Sequence, residues 1–489
     1  MKINHILYMN LVGMSCWSSL QAKAPRPNIL FICVDDFRPE AGFYQGTQYV
    51  KTPHLDRLAA SGVSFSNHYC SVPTSGASRH ALLTGQHPRT RQALNNEASS
   101  RLISGQPETE RPETFIHHLR RNGYYTVGAG KISHSADGYV YGYTEPKSAL
   151  PELPYSWDEM LFDPGKWGTG WNAFFACADG SNRQSRKNQV KPYECGDVDD
   201  DGYPDGLTAR VALDKLDELA AGDQPFFLGV GFFKPHLPFN APKKYWDMYD
   251  ESALPLTPVP GLPLDVARES LHESGEFASY RLGDEEAGLD HPVSDAYARK
   301  LRHAYFACIS YTDAQIGKLL DRLDSLGLRE NTVIVVWGDH GWHLGDFRIW
   351  GKHTLFDRAL RSTLLISAPQ TTGRGDCRRI VSSVDLYPTL MDLCHIPLPY
   401  AMDGQSLKPF LNRPALRSEK AAYGYFKQGI TVRTERYRLT KYAREASPVV
   451  ELYDHKTDPH ESRNIAGTHQ KLVARLMRLL EKGDTGLYR

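Results

Sequence analysis

Four runs of the chain are almost purely apolar, and each stops at charged or imidazole side chains. Residues 28–34 run into Asp35-Asp36, and 124–129 into Gly130-Lys131-Ile132-Ser133-His134. Residues 225–232 run into Lys234-Pro235-His236, and 332–337 into Gly338-Asp339-His340-Gly341. Unbroken apolar runs of this length predict strands buried on both faces, as in a parallel sheet. A shorter strand is expected over 63–66. Helical periodicity intervenes at 52–61, 114–122, 207–219 and 295–326. In the last of these Leu301, Tyr305, Cys308, Ile316, Leu319 and Leu323 share a face. Thr52-Pro53 opens the first helix, and Gly62 and Gly123 close the first two. Strands alternating with helices predict an α/β, doubly wound sheet whose ligands bind beyond the carboxyl ends of the strands.

Two stretches break this rhythm. Residues 138–190 are rich in aromatic and turn residues. Residues 251–292, rich in Pro, Gly and Glu, read as an insertion over the surface. Past about Pro399 the pattern shortens. Strands are expected within 428–440 and over 449–454, a turn at 458–461, and a closing helix over 470–482. The expected division is a leader at 1–24, a large catalytic α/β domain at 25–400 and a small α+β domain with an antiparallel sheet at 401–489. The length of 489 residues suits one large and one small domain.

Charge alters the picture by what it excludes. The 57 basic and 57 acidic residues cancel, so bulk charge gives no reason to expect nucleic acid or an anionic membrane as partner. The 11% aromatic content leaves material for stacking on sugar rings. Lys2, the apolar stretch 6–17 and the small residues up to Ala24 read as a secretory signal, which predicts a secreted or periplasmic protein. Lipidation at Cys16 is the lesser reading. No other stretch is long and apolar enough to span a bilayer. Beyond the leader, no cysteine pair has zinc spacing. Cys33, Cys70 and Cys308 are expected as buried thiols. Cys177 and Cys195 flank a polar insertion and could pair in an oxidising compartment.

The chemistry gathers at Ser75-Gly76-Ala77-Ser78-Arg79-His80-Ala81-Leu82-Leu83-Thr84-Gly85. If the apolar run 81–83 is the buried face of a helix, Ser75 sits at its N-terminus, where N–H groups and the dipole favour an anion. Arg79 follows one turn later on the same side. Asp35, Asp36, Asp339 and the oxygen of residue 75 are hard ligands suited to Ca²⁺ or Mg²⁺, with His340 completing the set or contacting substrate. Zinc would want more His or Cys. Lys131, His134, His236, Lys352 and Arg79 offer the cations and proton carriers that a sulfate or phosphate ester requires. His68, His87, His117 and His118 read as structural.

Ser75, Ala77, Arg79, Leu83 and Gly85 also stand in the register of the activation motif Cys/Ser-x-Pro/Ala-x-Arg-x-x-x-Leu-x-Gly, and the chain resembles the type I sulfatases. The likeness runs from about Arg26 to Asn464. It includes Asp35-Asp36, residues 52–58, Gly130-Lys131, Asp339-His340-Gly341 and Glu451-Leu452-Tyr453-Asp454 with Asp458-Pro459. Lys234-Pro235-His236, His134, residues 342–345 and Lys352-His353 liken it most to the iduronate-2-sulfatase branch. The resemblance implies a sulfatase/alkaline-phosphatase-like large mixed sheet flanked by helices. It implies one Ca²⁺ held by Asp35, Asp36, residue 75, Asp339 and His340. It also implies oxidation of Ser75 to formylglycine by a serine-type maturating enzyme, since Ser replaces the more frequent Cys. The hydrated aldehyde is then the nucleophile and Asp339 a ligand able to take its proton. His236 or Lys352 is the acid for the sugar oxygen, Lys131 and His134 assist sulfate release, and Arg79 steadies residue 75. The implied substrate is a sulfated oligosaccharide, with exo-acting removal of uronate 2-O-sulfate expected. The alternatives are another regiospecificity such as hexosamine 6-O-sulfate, a phosphate-ester hydrolase on the same fold, or a glycan binder whose Ser75 is never oxidised. Lys352, His353 and Arg348 are the cations expected to receive a uronate carboxylate.

Overall fold

The computed structural model describes residues 26–107, 110–442 and 448–488, and the expected leader lies outside them. The first apolar run forms β1 (Asn28–Val34), every residue of it buried. The sheet is completed by β2 (Val63–Phe65), β3 (Tyr125–Gly130), β4 (Glu159–Leu161), β5 (Phe226–Phe232), β6 (Thr332–Gly338), β7 (Leu364–Ser367) and β8 (Gly375–Cys377). Their order is β8-β2-β7-β6-β1-β5-β3-β4 in one eight-stranded sheet. Only β7 runs antiparallel to its neighbours, so the sheet is mixed, with a parallel centre.

The four expected strands occupy the middle of this sheet side by side. Val34 lies opposite both Phe232 and Gly338, and Gly130 lies opposite Gly231. The strands therefore end at one level, and their polar sequels emerge together. Alternate residues of β1 serve two layers. Leu30, Ile32 and Val34 join a core with the helices α3 (Pro204–Ala220) and α5 (Asp295–Ser325). Ile29, Phe31 and Cys33 join the core on the other face with Phe115, Leu119 and Leu390. The helix at residue 53 is α1 (Pro53–Ser61), and the stretch at residue 75 is α2 (Ser75–Thr84). A one-turn helix α4 (Gly275–Ala278) lies in the second insertion, and another, α6 (Asp357–Leu360), precedes β7.

A second, antiparallel sheet joins β9 (Ala422–Phe426), β10 (Gly429–Arg433), β11 (Tyr437–Tyr442) and β12 (Val449–Asp454) in sequential order. The closing helix α7 (Gln470–Leu480) packs Leu476 and Leu480 against Val432, Leu439 and Leu452. Val72 and Ala77 belong to the same cluster, so this layer touches the start of α2. The first strand, β9, was not foreseen in the sequence. Its alternation is interrupted by Gly424 and a run of tyrosines. Among the described residues no helix is long and apolar enough to cross a membrane. Cys33, Cys70 and Cys308 are buried thiols, as expected, and Cys177 and Cys195 are free rather than paired. Cys195 is held opposite Ala241 by strand pairing, while the Cys177 amide closes a turn onto Ser181.

Candidate active site

Ser75 is the first residue of α2, and Gly85 ends the helix in a left-handed conformation (φ 66°). The expectation of one buried face was too modest, since all ten residues of α2 are buried. At Gly76 a side chain would collide with the backbone of Asn96, and the Gly76 amide instead donates to Asn96 Oδ1 at 3.0 Å.

Ser75 Oγ lies 2.6 Å from Asp339 Oδ2 and 3.1 Å from Asp35 Oδ1. It accepts from Lys131 Nζ at 3.0 Å and Arg79 Nε at 3.1 Å. Arg79, fully buried, reaches Asp35 Oδ1 (3.2 Å), Asp339 Oδ2 (3.1 Å) and the Lys131 carbonyl (2.7 Å). Lys131 Nζ is 2.5 Å from Asp35 Oδ2. Burial alone would raise the Asp35 pKa, but Lys131 and Arg79 outweigh it and hold the carboxyl well below its usual range. Burial lowers the pKa of Lys131, with Asp35 opposing.

The next layer of the site is built from Asp36, His340, Lys352 and His236. Asp36 adopts a left-handed backbone (φ 57°), and its amide donates to Asp339 Oδ1 at 3.0 Å. Its Oδ1 takes Lys352 Nζ at 2.9 Å and stands 3.4 Å from His340 Nε2. Burial pushes the Asp36 pKa up to about 7, with Lys352 and His340 opposing. Lys352 is held above its ordinary range by Asp36 and Glu276 although burial opposes. Both nitrogens of His236 face acceptors, the Leu237 carbonyl at 2.6 Å and Glu276 Oε1 at 3.0 Å, an arrangement the imidazolium satisfies. Burial, and then Lys352, lower its pKa against that. His134 lies beside Trp171, and burial followed by Lys131 holds its pKa well below the normal range.

Ser75, Lys131, His134, His236 and Lys352 all line one cavity of about 300 Å³. Arg79, Asp35, Asp36, Asp339 and His340 lie behind it, fully buried. The structure thus brings together Ser75, Arg79, Lys131, His134, His236, Lys352 and the acidic cluster. Two expectations fail at the periphery. Arg348 does not line the cavity and donates instead to the Leu289 carbonyl. His353 lines it but is stacked on Phe426, and burial brings its pKa down to about 3, so it supplies no cation. Lys234 serves structure, capping the carbonyls of His236 and Pro238. His68 bonds Ser362 and Ser383, His87 bonds Ser71, and His117 and His118 lie against Glu113, away from the cavity.

Sequence reasoning missed Glu276. It sits in the 251–292 insertion, which is no mere surface excursion, because Ser270, Ser274, Phe277 and Leu289 are buried. Ser274 Oγ accepts from the Trp350 amide at 2.9 Å, and this anchors α4 beside Lys352. Glu276 then reaches His236 at 3.0 Å and Lys352 at 3.6 Å. A single acid among the many in this segment carried no distinguishing signal.

The acidic cluster fits a divalent cation. Asp35, Asp36, Asp339 and His340 can each offer one ligand atom within 4.8 Å of the others. In this cluster Asp36 Oδ2 and His340 Nε2 are buried without a hydrogen-bond partner. His340 Nδ1 is 3.0 Å from the Gly341 carbonyl, which directs its proton there and leaves Nε2 as a lone pair. Carboxylates dominate the set, the chemistry of a Ca²⁺ or Mg²⁺ site.

The sulfatase family model matches residues 27–396, and that of the N-sulphoglucosamine sulphohydrolase C-terminal region matches 345–485. A sulfatase of Formosa agariphila is 26% identical over 95% of this chain and 89% of its own. The iduronate 2-sulfatase of Mus musculus is 29% identical over 81% of this chain and 76% of its own. Among solved structures, the phosphonate monoester hydrolase of Silicibacter pomeroyi superposes with a TM-score of 0.71 at 25% identity, covering 94% of this chain and 95% of that one. With more than half its length matched by the family model, and with Ser75 and its cations lining one cavity in front of the acidic cluster, the chain belongs to the sulfatase family and is a hydrolase of sulfuric esters.

Proposed function

We propose that this sulfatase removes the 2-O-sulfate of a terminal uronate in a sulfated oligosaccharide, after Ser75 has been oxidised to formylglycine by a serine-type maturating enzyme. The reading carries with it a secreted or periplasmic location, motivated by the leader at 1–24. The observation that carries the chemistry is the position of the residue 75 oxygen, between Asp339 at 2.6 Å and Lys131 at 3.0 Å, in the lining of the cavity. The uronate preference is supported by the likeness to iduronate 2-sulfatase and by a cavity of about 300 Å³, the scale of one sugar residue.

Asp35, Asp36, Asp339 and His340 would hold a calcium ion, with residue 75 adjoining. The ion and the hydrated formylglycine supply, when present, charge stabilisation and a nucleophilic oxygen. The chain's own residues do the rest. Asp339 Oδ2 is placed to take a proton from the residue 75 oxygen. Lys131 and Arg79 donate to that oxygen and fix its direction. Cleavage of the S–O bond leaves an oxygen on the sugar that needs a proton. Lys352, kept cationic, and His236 both face the cavity and can give it, with Glu276 orienting the pair. His134 lines the same cavity and can assist the release of sulfate by hydrogen bonding.

The test is sulfate release by protein co-expressed with a serine-type maturase, assayed across sulfated saccharides. The expected order puts a 2-O-sulfated uronate disaccharide ahead of a 6-O-sulfated hexosamine. Preference for the hexosamine would refute the uronate reading, and faster turnover of phosphate or phosphonate monoesters would favour the other ester class.

A further inference from the structure

One cation of the cavity has no task in the scheme above. Arg183, from the first insertion, lines the same cavity as Ser75. Its guanidinium carbon lies 3.6 Å from the ring centre of Phe175 and 5.3 Å from that of Tyr280. Nη1 makes one long contact, 3.4 Å to Ser279 Oγ, and Nε is buried with no hydrogen-bond partner. Among the described residues it forms no ion pair. The other cavity cations differ in this respect. Lys131 is matched by Asp35, and Lys352 by Asp36 and Glu276. Glu276 is matched in turn by His236 and Lys352, so it does not offset Arg183.

Stacking on aromatic rings uses the faces of a guanidinium and leaves its in-plane N–H groups available, and their fork matches a carboxylate. The seat is also held firmly. The Arg183 amide donates to the Phe175 carbonyl at 3.2 Å. The two insertions are joined by Arg281 N to Asn188 O at 3.0 Å and Leu282 N to Val190 O at 3.1 Å. In a uronate the carboxylate carbon is borne by C5, across the ring from C2. A sugar with its 2-sulfate at residue 75 therefore presents its carboxylate a ring's width away, within the cavity that Arg183 also lines.

We propose that Arg183, stacked between the two insertions, forms a second anion subsite that receives the uronate carboxylate of the substrate. This rests on the uronate reading above. A charge-assisted, forked contact of this kind corresponds to about tenfold to a hundredfold in kcat/KM. The experiment compares a 2-O-sulfated uronate disaccharide with its carboxyl-reduced counterpart for mature wild type, Arg183→Met, Arg183→Gln and Arg183→Lys. The quantity read is the ratio of kcat/KM on the two substrates within each protein, which cancels differences in folding and maturation. Wild type is expected to favour the carboxylate by about tenfold or more. The ratio should fall to near one in Arg183→Met and Arg183→Gln, and to an intermediate value in Arg183→Lys, which keeps the charge and loses the fork. A wild-type ratio near one overturns the uronate reading and this subsite with it. A high ratio that persists in both neutral variants leaves the uronate reading standing and overturns the role of Arg183 alone.

Discussion

A serine hydroxyl is a poor nucleophile in its own right, and Ser75 is surrounded by groups suited to a more reactive oxygen. Its Oγ contacts two carboxylates and two cations while only 3% of the residue is exposed. If oxidation supplies the reactivity, mature protein should show the Ser75 peptide lighter by two hydrogens, and sulfate release should rise with the fraction converted. Unmodified Ser75 in fully active enzyme would contradict this. The same residues predict the metal dependence. Asp339→Asn preserves size and packing but removes a charge from the acidic cluster, so bound Ca²⁺ and turnover should be lost together. Elemental analysis beside kinetics checks it, and full activity of metal-free protein in strong chelator would sink the idea. Removing Asp35 is the harsher change. It strands Lys131 and Arg79 in the interior, at a cost of about 3–5 kcal/mol, and would confuse metal loss with unfolding.

Elements bring these residues together through their ends. Gly231 of β5 lies opposite Gly130 of β3, and a side chain there would collide with the backbone of Lys131. That backbone also receives Arg79, through the Lys131 carbonyl at 2.7 Å. Gly231→Ala should therefore destabilise by about 1–3 kcal/mol and depress activity by displacing Lys131 and Arg79. Gly105→Ala, with nothing within 4 Å of the added carbon, should do neither. Thermal melting and turnover of the two variants make the comparison. This level also decides what was legible beforehand. The central strands announced themselves because burial on both faces leaves an uninterrupted apolar run. Asp35, Asp36, Lys131, His236 and Asp339 were legible because they follow those runs closely, whereas Ser75 and Arg79 were legible from the motif at 75–85. Glu276 and Arg183 were not. Each belongs to an irregular insertion, where position is set by contacts such as Ser274 with Trp350 and Arg183 with Phe175, and such contacts leave no periodic trace. Arg348 misled for the converse reason, because nearness in sequence to Lys352 did not survive the turn at 346–348.

For the whole molecule, the question is what fastens the antiparallel sheet beside the large one, since His353 of the cavity stacks on Phe426 of that sheet. A buried ionic network does much of it. Asp357 of α6 accepts from Tyr69 at 2.8 Å and pairs with Arg433 of β10 at 3.3 Å. Its amide donates to Glu461 Oε2 at 2.9 Å, while Glu461 Oε1 meets Arg438 of β11 at 2.5 Å and His455 at 2.9 Å. Glu461 is 1% exposed, so solvent screens these contacts little. Burial by itself would raise its pKa, but Arg438 and His455 prevail and bring it down from 4.5 to about 2. The folded-state pKa is thus depressed. The stabilisation is fully present above the unfolded value near 4.5 and is lost as the pH falls from there through about 2. Its size is on the order of 3 kcal/mol at neutral pH. Glu461→Gln keeps the shape and discards the charge, so it should be less stable than wild type at pH 7 by about that amount. The gap should hold down to about pH 4.5 and narrow below it, because wild type then loses what the variant never had. Denaturant unfolding of both proteins at intervals between pH 7 and pH 2.5 measures it. A gap that stays constant through that range would show that the Glu461 charge does not fasten the two sheets together.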